Sequence, residues 1–132
     1  MAAVALKITD ETFTGQTLAE VDITLDSAEA RVRHLIACRV RAEVLKYNNK
    51  KPAYFNGLVQ PTEAEKALNG YKLKSGRQIN AEQQIEVALK AFEENGFFMF
   101  VDDQQAESLD QLITVTPQTR VSFVRLTPLV GG

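Results

Sequence analysis

Residues 6–36, LKITDETFTGQTLAEVDITLDSAEARVRHLI, change hydrophobic period part-way along, and the change decides the fold class. Val4, Leu6 and Ile8 alternate with Ala5, Lys7 and Thr9, the period of two that turns one face of a strand to a core. Val21, Ile23 and Leu25 repeat the pattern around Asp22 and Thr24. Gly15, in TFTGQT, stands between the two runs, so the pair predicts a β-hairpin. Beyond Asp26 the period lengthens. Val32, Leu35, Ile36, Val40, Val44 and Tyr47 form a slanted helical stripe, flanked by Arg31, Arg33, Arg39 and Arg41. Asp26 and Glu29 have capping-box spacing at its start, and Asn48–Asn49 mark the expected stop.

A helix that follows a hairpin must cover one face of the sheet, which predicts a two-layer α+β domain. Further along, Thr62 with Glu65 has the spacing of a second helix start, closed by Asn69–Gly70, and YKLKSGRQIN reads as loop or a minor strand. Asn80 with Gln83 opens a clearer helix through Ile85, Ala88, Leu89 and Phe92, stopped at Asn95–Gly96. FFMFV (97–101) is a short continuous apolar run, the pattern of a strand buried on both faces. SLDQLITVTPQT has little period of its own, and VSFVRL (121–126) is the last strand, with Val121 and Phe123 on one face and Val124 on the other.

At 132 residues the chain has the length of one domain with one core. No run approaches the roughly 20 apolar residues of a membrane-spanning helix. MAAVALKITD has no basic leader ahead of a long apolar core, so no signal peptide is expected and a cytoplasmic location is. The single cysteine, Cys38, excludes an internal disulfide and a multi-cysteine metal site. Between Lys46 and Arg77, seven basic residues face two acidic ones, a local charge of +5 against −7 for the remainder. Such asymmetry either steers a partner or marks a solvated loop region.

The end of the sequence, TPLVGG, combines two devices. Pro128 has no N–H for a strand ladder and biases Thr127 to extended backbone, so residues 127–132 are expected to project as a flexible tail. Gly131 and Gly132 lack Cβ atoms, which lets a chain enter a narrow passage in conformations closed to other residues.

With these elements in place, the chain resembles the ubiquitin-like β-grasp family. LKITDETFTGQTLAEVDITLDSAEARVRHLI is similar to the start of ubiquitin, and MFVDDQQAESLDQLITVTPQTRVSFVRLTPLVGG to its second half, including the terminal diglycine. TPLVGG is also similar to the tail of the small sulfur-carrier subunit of molybdopterin synthase. The likeness covers residues 4–45 and 97–132, and 46–96 is an α-rich insertion without counterpart in the short members of the family.

The resemblance implies a β-grasp fold, a mixed sheet packed on a long helix, and a protein that is a substrate of enzymes and not itself one. An ATP-dependent activating enzyme would adenylate the carboxyl of Gly132, with Gly131 beside it in the enzyme channel. Pro128, Leu129 and Val130 would be the tail residues that this enzyme reads. Ubiquitin carries arginines in this stretch; here none follows Arg125, so the ubiquitin activating enzyme should be a poor match. Val124 and Leu126 are candidates for a partner surface.

Two outcomes stay open. In one, the chain is a bacterial ubiquitin-like modifier, served by conjugating enzymes and a deconjugating protease, joined to a target protein by an isopeptide bond and associated with antiphage defence. In the other, Gly132 becomes a thiocarboxylate for cofactor biosynthesis. A third class is a β-grasp interaction domain with an inert tail. No cofactor or metal is implied.

Other residues carry less. His34 has no second histidine beside it in the sequence and reads as structural. Cys38 reads as a small boundary residue, although its arginine neighbours are of the kind that lowers a thiol pKa. Tyr47, Lys50, Lys51, Tyr54, Phe55, Tyr71, Lys72 and Lys74 mix aromatic and basic residues as single-stranded nucleic-acid sites do. An overall pI of about 5.4 and the lack of a binding motif argue against nucleic acid and for aromatics that pack the insertion.

Overall fold

The structure, a computed structural model, describes residues 3–11, 16–50, 54–55, 57–61, 64–67, 70–73 and 78–125. Strand β1 (Val4–Glu11) alternates as the sequence predicts, with Val4, Leu6 and Ile8 turned inward. The next inward place belongs to Asp10, which is equally buried. β2 (Thr17–Leu25) returns antiparallel to β1, from Val4 opposite Leu25 to Glu11 opposite Thr17, so the hairpin is observed. Its turn, with Gly15, lies outside the described residues.

The chain then departs from expectation. Asp26 and Glu29 do not start the helix. Residues 26–28 bend, β3 (Glu29–Arg31) pairs with a later strand, and helix α1 runs Val32–Lys50. The first amide hydrogens of a helix lack partners within it. Here Val32 and Arg33 donate theirs to the carbonyls of Gln111 and Leu109, both at 3.0 Å, so a distant loop does the work assigned to Asp26. At the other end α1 continues through Asn48 and Asn49. Asn48 stays helical and uses its side-chain amide on Ile79, accepting from its N–H and donating to its carbonyl, each at 2.9 Å.

A short hairpin, β4 (Glu65–Ala67) with β5 (Gly70–Lys72), replaces the second helix expected from Thr62. Phe55 and Tyr71 exchange backbone hydrogen bonds at 2.8 Å, so this hairpin is tied back to the residues that follow α1. Helix α2 (Ala81–Glu93) is as predicted: the Asn80 side chain caps Gln83 N–H at 3.0 Å, and the chain leaves through Asn95 at φ 62°. The described residues of 46–96 therefore hold the end of α1, the β4–β5 pair and helix α2.

β6 (Phe97–Val101) follows, and Asp102 and Asp103, both at positive φ, turn it into β7 (Gln104–Gln105). Positive φ at both central residues marks the turn type that suits two-residue hairpins. β8 (Leu112–Thr114), which the sequence does not announce, pairs antiparallel with β3. β9 (Val121–Arg125) closes the order.

Five strands make one mixed sheet in the order β2-β1-β9-β6-β7, with β9 parallel to β1 and antiparallel to β6. Val121, Phe123, Phe97 and Met99 join Val4, Leu6 and Ile8 on the face that receives the stripe of α1. Helix α2 packs beside α1, and the Phe92 ring meets Phe97 at 5.9 Å. β6 is fully buried only through Phe97 and Met99; Phe98 and Phe100, on the other face, are half-buried, so burial on both faces is not observed. No helix among the described residues is long and apolar enough to cross a membrane.

Candidate functional site

The last described residue is Arg125, at the end of an interior strand held on both edges. Leu126, Pro128, Leu129, Val130, Gly131 and Gly132, the residues with most of the expected chemistry, lie outside the described residues. Of the partner-surface candidates Val124 is described, and it is buried at 8% exposure. As an interior-strand residue aligned with Phe98 on one side and Glu11 on the other, it contributes packing and not an exposed surface.

What the structure brings together at this end is a group of three buried charges, Asp10 from β1 with Arg39 and Glu43 from α1. Arg39 is 2% exposed. Its Nε donates to Asp10 Oδ1 at 3.3 Å, its Nη2 donates to Asp10 Oδ2, and its Nη1 donates to Glu43 Oε2. Two carboxylates thus share one guanidinium in the interior. Burial by itself would lower the Arg39 pKa, but Glu43 and Asp10 together leave it raised, so the arginine stays charged. With both acids ionised the group would carry a net negative charge away from water. Burial is the largest influence on Glu43, and despite Arg39 and the Leu58 N–H it pushes this carboxyl up to about 7.

The same carboxyl organises backbone. Leu58 N–H donates to Glu43 Oε1 at 3.2 Å, and Arg125 Nη1 donates to the Gly57 carbonyl at 2.8 Å. A Cβ on Gly57 would strike the Phe55 ring and sit 2.6 Å from Glu43 Oε1, so this position requires glycine for a close approach. From the third side Gln84 Nε2 donates to the Val59 carbonyl at 2.8 Å. No buried side-chain nitrogen or oxygen among the described residues lacks a partner.

A signal for this cluster was present. Asp10 continues the inward alternation of β1, and Arg39 and Glu43, spaced i and i+4, fall on the buried stripe of α1. Polar residues at apolar positions on two facing elements are candidates for one another.

On the solvent side a groove of about 530 Å³ runs between β2 and α1. Arg39 and Glu43 line it, together with Val21, Ala42, Tyr47, Tyr54 and Phe55. Lys46 and Lys50 stand against Glu20 and Asp22 along it, so the groove has no strong preference for one sign of charge. Tyr47 and Phe55 are buried edge-to-face at 5.4 Å, which removes their rings from any stacking role. Tyr54 and Tyr71 are half-buried and Lys50 and Lys72 exposed; Lys51 and Lys74 lie outside the described residues.

His34 is exposed and its Nε2 lies 3.6 Å from the half-buried Cys38 Sγ. Burial raises the Cys38 thiol pKa above its ordinary value, with Arg41 pulling the other way and too weakly to reverse it. Among the described residues, no group of three or more His, Cys, Asp and Glu is placed to hold a metal ion.

No protein-family model matches the chain, and neither a curated protein nor a solved structure matches it significantly.

Proposed function

We propose that the chain is a ubiquitin-like modifier of the β-grasp fold, activated at the carboxyl of Gly132 and joined to an amine of a target protein. The observation that carries this reading is the place of β9: an interior strand, parallel to β1 and clamped by β6, that holds the chain up to Arg125. Hairpin β1–β2, the long helix on one face of the sheet and this returning strand support the β-grasp assignment. Six and seven residues past Arg125 come Gly131 and Gly132, beyond a proline that cannot extend the ladder.

The chemistry needs little from the domain. A carboxylate is ionised at neutral pH and resists attack. In the reaction proposed, it displaces pyrophosphate from ATP to give an acyl adenylate, and a lysine amine then displaces AMP, loses a proton and leaves an isopeptide bond. Catalytic groups and ATP belong to the partner enzymes, and the modifier supplies the folded domain and the Gly132 carboxyl. The carboxyl of Gly132 serves this role in the chain as given or after proteolysis exposes it.

Incubation with ATP and the products of neighbouring genes, followed by intact-mass measurement, tests the reading. The expected product is a lysine-linked adduct that a variant lacking Gly131 and Gly132 does not form. A thiocarboxylate at Gly132 would instead make the chain a sulfur carrier. Identical behaviour of the two proteins would leave a β-grasp interaction domain with an inert tail.

A further inference from the structure

We propose that residues 57–59 form a strap whose seating on the core is set by the charge state of Glu43. The strap is held in an unusual way. Among the described residues, its backbone makes no hydrogen bond to other backbone; three of its polar groups are held, each by a side chain from a different element. Glu43 of α1 accepts from Leu58 N–H, Arg125 of β9 donates to the Gly57 carbonyl, and Gln84 of α2 donates to the Val59 carbonyl. Leu58 and Val59 insert their side chains into the core beneath. A segment tied by side chains, unlike one tied by a ladder, responds to their ionisation.

Of the three ties, Glu43 is the one whose charge changes near neutrality. The charged groups facing it are Asp10 from β1, Arg39 from α1 and Arg125 from β9. Glu20 and Asp22 of β2, Lys46 and Lys50 of α1 and the phenols of Tyr47 and Tyr54 line the groove outside. With the strap seated, burial holds the carboxyl near 7, against an ordinary value of 4.5. Lifting the strap admits water to Glu43, which returns its affinity for the proton towards the ordinary value. Seating is therefore linked to proton uptake: it is favoured in acid and weakened as the pH climbs to about 7. Opening also removes the carbonyl that Arg125 holds, so the device acts on the root of residues 126–132. It does not depend on what those residues do.

Two measurements on the wild-type protein test the inference. NMR titration of the Glu43 side-chain carbonyl carbon should give a midpoint near 7. The amide protection factor of Leu58, corrected for intrinsic chemical exchange, should fall by up to about tenfold per unit between pH 5 and 7 and level off above pH 8. In Glu43→Gln the protection should no longer depend on pH; should that variant not fold, the two wild-type measurements decide. A midpoint below 5, a Leu58 protection factor flat across the range, or an unchanged pH dependence in a folded Glu43→Gln would each overturn the proposal.

Discussion

The Arg125 guanidinium donates to the carbonyl of Gly57 at 2.8 Å, across 68 positions of sequence. That bond joins the last strand to the strap over Glu43, and through Glu43 to Arg39 of α1 and on to Asp10 of the first strand. The interior ion group therefore spans both ends of the chain's core, with β1, α1 and β9 meeting around one buried guanidinium.

Arg39→Met should be among the most damaging single changes. It leaves the acidic side chains of Asp10 and Glu43 buried without their cation, a loss of about 3–5 kcal/mol. Urea unfolding monitored by circular dichroism should show this, and adding Asp10→Asn and Glu43→Gln to the same chain should restore a large part of it. Equal instability of the single and triple variants would mean that shape at position 39 matters and charge does not.

The contribution of Glu43 to stability should fall as pH rises. Glu43 has a folded pKa of about 7 against an ordinary 4.5, so the folded state binds the extra proton between those values. Its contribution is fully present below about pH 4.5 and is lost as the pH rises through 7, the reverse of a carboxylate stabilised in its charged form. The urea midpoint of the wild type, compared with that of Glu43→Gln at pH 5 and pH 8, isolates this term. The gap between the two proteins should shift in favour of Glu43→Gln at the higher pH.

Gly57→Ala should destabilise by about 1–3 kcal/mol, because the added methyl group meets the Phe55 ring and Glu43 Oε1. A thermal melt measures it. Amide exchange should place the loosening at Leu58 and Phe55 and spare the β3–β8 pair.

Asn80→Ala removes the side chain that caps Gln83 N–H at the start of α2 and should cost about 1 kcal/mol. Asn80→Asp keeps an acceptor and should melt within a few degrees of the wild type.

How much of this was legible beforehand follows from what each signal depends on. The hairpin, the two long helices and the last strand rest on local periodicity, and residues such as Leu6, Ile23, Val40 and Phe123 point where their spacing says. The start of α1 is not local: its first amides are satisfied by Leu109 and Gln111, nearly 80 positions away, so the spacing of Asp26 and Glu29 does not mark it. β3, β8 and the β4–β5 hairpin are three residues each, too short for a period to show. The charge of Arg39 suggests a solvent-facing flank, whereas its place on the helix lies between Ile36 and Val40 on the buried side, where only the partners Asp10 and Glu43 make a guanidinium tolerable. For Gly131 and Gly132 the sequence remains the source of the reading.

The central claim, attachment through Gly132, has a direct readout in the sequence itself. Trypsin cuts after Arg125, and no lysine or arginine follows, so a conjugated lysine would retain the branch Leu-Thr-Pro-Leu-Val-Gly-Gly. The measurement is tandem mass spectrometry of tryptic digests from cells that express the tagged chain with its activating partner. The account predicts lysine residues of other proteins carrying that branch, absent when Gly131 and Gly132 are deleted. A Gly132 carboxyl found only free, or only as a thiocarboxylate, would contradict it.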